Sequence, residues 1–151
     1  MTPVRDDVVA RLSASSLVEG LSAGEVAAIA GELEEQQYMA GNRVITEGMH
    51  GVEFFLIVEG AAAIESGGVS VASLGPGDFF GEVGALDQGP RTATVRATSR
   101  LRCLTLPQGT LMTFLLEHPH LAINMLHASV RRFRAAMTSG RLTGSAKGTT
   151  R

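Results

Sequence analysis

Tryptophan is absent from these 151 residues, and tyrosine and cysteine each occur once. A single cysteine, Cys103, cannot build a disulfide framework, so stability must come from an apolar core. That economy fits a reducing compartment, and a cytoplasmic location is expected. Cys103 sits between Leu101-Arg102 and Leu104 and reads as core rather than as a reactive thiol. Charge is sparse too, at 19% of residues with a net of −2, which gives no general pull on nucleic acid or acidic lipid. No apolar run reaches the ~20 residues of a membrane span, and no signal-peptide pattern opens the chain. A G-x-x-x-x-G-K-(S/T) phosphate loop is missing, as is a nucleophile elbow, which removes the commonest signatures of triphosphate and ester hydrolysis. The four histidines form no metal set. His118 and His120 flank Pro119 at a spacing that suits neither a helical pair four apart nor a strand-borne His-x-His, while His50 and His127 are solitary. No metal and no cofactor are expected.

What is present is an ample apolar fraction, 44%, and eighteen glycines, a composition of short strands separated by many turns. The length suits one domain, large enough to bury about two-thirds of its unfolded surface. Residues 1–12 read as a flexible N-terminus, 13–139 as the domain and 140–151 as a disordered Gly/Ser/Thr/Lys tail. Ser22-Ala23-Gly24-Glu25 has the form of a capping box. Val26, Ile29, Ala30 and Leu33 follow at helical spacing, so a helix is predicted to about Glu34, stapled by Leu17-Val18. From Tyr38 the period changes. Strands are predicted at 43–46, 54–58, 61–65, 69–74, 94–97 and 101–106, with Gly67-Gly68 as a hairpin turn and Gly75-Pro76-Gly77 as a type II bend. Strands of this length and spacing favour a small antiparallel β barrel or jelly roll, mainly β, with an N-terminal helical segment and C-terminal helices. A short helix over 111–117 precedes a longer one opening at Pro119. Along the longer helix Ile123, Leu126, Val130, Phe133 and Met137 fall at spacings of 3, 4, 3 and 4. Such a seam packs either on the helix's own domain or on a partner helix.

The chemistry concentrates in Phe79-Phe80-Gly81-Glu82-Val83-Gly84-Ala85-Leu86-Asp87-Gln88-Gly89-Pro90-Arg91-Thr92-Ala93. Two apolar residues lead in from a buried strand, and Gly81 frees the backbone to bend. A short helical turn follows, whose first amides lack a partner within the helix and favour an anion. Nine residues after Glu82, Arg91 supplies a planar fork that matches two oxygens of a phosphate, and Thr92 adds a hydroxyl. An arginine that stays charged cannot shuttle protons, so Glu82 and Arg91 form a binding pair and not an acid–base pair.

This stretch resembles the phosphate-binding cassette of cyclic nucleotide-binding domains, F-G-E-x-x-x-L-x-x-x-x-R-(A/S/T)-A, with the Glu-to-Arg spacing kept. The segments Glu47-Gly48 and Phe54-Phe55-Leu56-Ile57-Val58-Glu59-Gly60 resemble the family's strand pair ahead of the cassette. The resemblance implies a regulatory, non-catalytic module whose ligand is cyclic AMP or cyclic GMP. It assigns Glu82 to the ribose 2′-hydroxyl. Arg91, Thr92, Ala93 and the backbone around Gly81, Val83 and Gly84 fall to the cyclic phosphate. Ile64 and Val71 would face the base with Val83 beneath it, and Arg132, Phe133, Ala136 and Met137 would belong to a lid on the last helix, with Thr138 and Ser139 just beyond. Thr after the arginine resembles cyclic GMP sites, while a hydroxyl there also serves cyclic AMP, towards which the reading leans. A homodimer through the C-terminal helix or an unidentified effector protein is the expected partner. No recognition helix or basic stripe appears beyond Arg131-Arg132 and Arg134, so direct DNA binding is not expected. The alternatives are a non-binding docking or dimerisation module of the same fold and a cupin-like metal-dependent enzyme.

Overall fold

In the computed structural model, residues 6–87, 89–106 and 110–138 are described. The tail expected at 140–151, together with Ser139, lies outside them. The chain opens with helix α1 (Asp6–Ser13), a 3₁₀ turn (Ser16–Val18) and helix α2 (Ala23–Gly31). Strands β1 (Glu34–Tyr38), β2 (Arg43–Ile45), β3 (Phe55–Glu59), β4 (Ala62–Ser66), β5 (Val69–Leu74) and β6 (Phe79–Phe80) follow. Helix α3 (Glu82–Asp87), strands β7 (Thr94–Ala97) and β8 (Leu101–Thr105), and helices α4 (Leu111–Glu117) and α5 (Pro119–Thr138) complete the order.

The strands form two four-stranded sheets, β1-β8-β3-β6 and β2-β7-β4-β5, with every pairing antiparallel. Strand β3 explains the unbroken apolar run at 54–58, because its two faces serve two cores. Phe55 and Ile57 meet Ile45, Ala62, Leu74, Val95, Ala97 and Cys103 between the sheets. Phe54, Leu56 and Val58 point the other way, into a second core with Leu17, Val26, Ile29, Phe114, Leu121 and Met125 from the helices. The architecture is therefore an antiparallel jelly roll with helices packed on one sheet, as predicted. Cys103 is fully buried between the sheets, which pushes its thiol up to about 12. No helix among the described residues is long and apolar enough to cross a membrane.

The turns follow their residues. Gly67 and Gly68 both take positive φ (60° and 82°), as a two-residue hairpin requires. Ser22 and Glu25 make both bonds of the capping box, at 3.1 and 3.2 Å. Two expectations are corrected. Residues 6–12 do not fray, since α1 buries Val8 and Leu12 in the helical core. The α2 helix ends at Gly31, and Glu34–Tyr38 is instead an edge strand on β8.

A buried arginine ties this side of the molecule together. Arg102 on β8 grips Glu35 of β1 with both ends of its fork (3.1 and 3.2 Å), Glu59 of β3 (2.8 Å) and Asp7 of α1 (3.3 Å). These carboxylates hold its guanidinium firmly charged.

Candidate functional site

Gly81 is the pivot between β6 and α3. Its φ of +86° is a conformation that only glycine adopts cheaply, and a Cβ there would stand 2.6 Å from the Glu53 carbonyl oxygen. The turn sends the chain into α3, where the amide of Ala85 makes the first helical bond, back to Gly81 O at 3.1 Å. The amides of Glu82, Val83 and Gly84 precede that ladder.

Arg91 comes under the same turn from the other side. It is 7% exposed. Its Nη1 donates to Gly81 O (2.9 Å) and its Nη2 to Glu53 O (2.8 Å). Its backbone is fixed as well: Arg91 N donates to Met49 O, and Gly48 N to Arg91 O, both at 2.8 Å. Two glycines make room for the guanidinium. A Cβ on Gly84 would lie 2.6 Å from Nη1, and one on Gly51 would lie 3.1 Å from Nε. No carboxylate stands within ion-pair distance of Arg91 among the described residues. Burial accordingly pulls its pKa down, and only the more distant charges of Glu53 and Glu82 oppose the shift. A buried cation held by neutral carbonyls is half of an ion pair, and its complement is an anion.

Glu82 sits beside it with a mostly buried carboxylate. Burial raises its pKa, and the nearby charge of Arg132 works against that rise. Arg132 reaches in from α5: Nη1 approaches Glu82 Oε2 at 3.5 Å, Nη2 donates to Phe79 O at 2.7 Å, and the guanidinium lies 4.7 Å from the Phe79 ring centroid. One side chain thus ties the last helix to the strand, the turn and the acid of the cassette.

These groups line one cavity of about 180 Å³. Of the residues predicted from sequence, Ile64, Gly81, Glu82, Val83, Gly84, Arg91, Thr92, Ala93 and Arg132 are in its wall. Ile45, Phe80 and Val95 complete it and had been read only as strand core. Gly51 and the Glu53 carbonyl, which shape the arginine's seat, were missed as well. Val71, Phe133, Ala136 and Met137 are not in the wall. Val71 lies at a bulge where Ile64 pairs with Ala72 and Glu65 with Ser70, leaving it the unpaired extra residue. Phe133 (61% exposed) and Met137 (41%) lie away from the cavity, because α5 turns Arg132 inward and its neighbours outward. The same rotation decides the 3-4 seam. Leu121 and Met125 are the buried residues of α5, with Ala128 packed beside them, while Ile123, Leu126, Val130, Phe133 and Met137 are all exposed. The seam does not lie on its own domain.

Comparison with known proteins fits this geometry. The profile described as "Cyclic nucleotide-binding domain" matches residues 35–118. The chain belongs to that family. A cyclic nucleotide-binding domain is a binding module and not a catalytic one. The "cAMP-dependent protein kinase regulatory subunit" of Mycosarcoma maydis is 43% identical over 101 residues, a match covering 61% of this chain and 19% of that protein. The chain thus spans about a fifth of the length of this curated relative. The catabolite activator protein of Thermus thermophilus superposes with a TM-score of 0.76 at 28% identity, over 86% of this chain and 63% of that one. The structure of PKAR CBD2 bound to Sp-2Cl-cAMPS superposes with a TM-score of 0.72 at 25% identity, over 85% of this chain and 86% of that one.

Proposed function

We propose that this cyclic nucleotide-binding domain takes cyclic AMP ahead of cyclic GMP and acts as a cytoplasmic regulatory module, coupling occupancy to the position of α5. The observation that carries the reading is Arg91, buried and charged, its guanidinium bonded to neutral carbonyls alone among the described residues. The cyclic phosphate would complete that pair, with Thr92 and the amides of Val83 and Gly84 on its other oxygens. Charge-assisted bonds of this kind contribute about 1.5–3 kcal/mol each. Glu82 would accept from the ribose 2′-hydroxyl, and Ile64 and Val83 would pack on the base. The kinase regulatory subunit and the Sp-2Cl-cAMPS complex among its relatives support the choice of cyclic AMP.

Arg132 gives the coupling its route. It joins α5 to Glu82 and to Phe79, so a ligand that engages Glu82 bears directly on α5. Phe133 and Met137 reach the base only if α5 rotates or shifts on closing. The shift is bounded by the ligand's difference in affinity between the two arrangements. The outer face of α5 would carry the change to a bound partner.

A thermal-shift screen with cyclic AMP, cyclic GMP and cyclic dinucleotides identifies the ligand, since one that binds only the folded state raises the melting temperature. Calorimetry on Arg91→Ala then tests the mechanism. The variant should lose about 2–5 kcal/mol of binding, the usual penalty for removing one side of a buried charge pair. Unchanged affinity would refute it.

A further inference from the structure

Helix α5 spans twenty residues, Pro119–Thr138, without an aspartate or glutamate. Its inner face, through Leu121, Met125, Ala128 and Arg132, is occupied by the domain. At about 100° per residue, the seam of Ile123, Leu126, Val130, Phe133 and Met137 is centred roughly 150° away from that face. The two flanks of the seam differ in chemistry. One is made of Ala122, Ser129 and Ala136. The other carries His127, Arg131 and Arg134, all exposed, and between it and the seam runs a shallow, open groove along the helix surface lined by Leu126, His127, Val130, Arg131 and Arg134. We propose that this groove receives a partner protein's amphipathic helix, with an apolar stripe to cover the seam and carboxylates along the edge that meets the cationic flank.

The apolar spacing alone would also suit a second copy of α5, with β-branched Ile123 and Val130 alternating with Leu126. The flanks decide against it. In a parallel pair His127 and Arg134 would face Ala122 and Ser129 of the other helix, which offer no counter-charge. In an antiparallel pair the cations would face one another. An acidic edge pairs with both, and residues flanking an apolar seam set partner choice. The groove shares no residue with the Arg91 cavity, so the inference stands apart from the nucleotide reading.

Two synthetic three-heptad peptides test it with the intact chain. Both carry a Leu/Ile stripe, one with Glu and the other with Lys along its edges. Fluorescence anisotropy should give the Glu peptide an affinity about tenfold or more above the Lys peptide, falling as salt is raised. Arg131→Glu combined with Arg134→Glu should reverse that order, and Val130→Asp should abolish both interactions. All these positions are exposed, so the melting temperature should hold. Equal binding of the two peptides, or binding of neither, overturns the proposal. It is likewise overturned if sedimentation shows a dimer of the parent that Val130→Asp dissociates, or if anionic vesicles bind the chain more tightly than the Glu peptide does.

Discussion

Gly84→Ala adds one methyl group, removes no functional group, and should still disable the cavity. Gly84 is helical, so the exchange would ordinarily stabilise α3 by about 1 kcal/mol. Here the new Cβ would sit 2.6 Å from Arg91 Nη1 and 3.0 Å from Gly51 O. The carbonyl belongs to the backbone and yields little, so the guanidinium must move. Moving it breaks the 2.9 Å bond to Gly81 O and turns the fork away from the cavity. Losing one charge-assisted bond to the ligand costs about 1.5–3 kcal/mol, or about 10- to 150-fold in affinity for cyclic AMP. Isothermal titration calorimetry reads that loss, and a thermal melt in the absence of ligand checks that the fold persists. Binding within about twofold of the parent would mean that Arg91 need not hold this position, and the account of the site would be wrong.

Glu82→Gln separates binding from stability. The folded state raises the Glu82 pKa by burial, so the parent loses stability as pH rises from the ordinary carboxylate range through the folded-state value. The variant, with no charge to bury, should melt above the parent at neutral pH, and the two curves should converge on acidification; it should also bind cyclic AMP more weakly. On the opposite side, Arg102→Ala strips a nearly buried Glu35 of its two-pronged partner and should cost about 3–5 kcal/mol in a denaturant titration. Arg102→Met with Glu35→Leu should recover most of that loss, because a well-packed apolar pair replaces a buried ion pair at little cost.

Legibility of the fold from sequence tracked how each element earns its stability. The capping box, the Gly67-Gly68 hairpin and the doubly buried β3 carry their reasons in adjacent residues, and they stand where expected. Strand β1 did not announce itself, because Glu34-Glu35-Gln36-Gln37-Tyr38 has no apolar alternation. It is held by β8 and by Arg102, sixty-seven positions on from Glu35. Helix α1 buries only Val8 and Leu12, too few for a periodic signal. On α5 the periodicity was real but marked the outward face, since the inward one relies on Ala128 and Arg132 beside two larger apolar residues. In the cavity wall, Glu82, Arg91 and Thr92 were legible from the spacing of the motif, and Arg132 only through the family resemblance. The seat of Arg91 was not, because it is built from the carbonyls of Gly81 and Glu53 and the bare Cα of Gly51, and backbone oxygens leave no mark on composition.

The paired bonds between Arg91 and residues 48–49 carry a further consequence. Mechanically, Arg91 belongs to the segment joining β2 and β3 as much as to its own strand approach. Met49 and His50 on that segment face solvent. A single peptide cut there would leave both cores untouched and let the guanidinium drift from beneath the Gly81 turn. A protein nicked at this point would keep its shape and go deaf to its ligand.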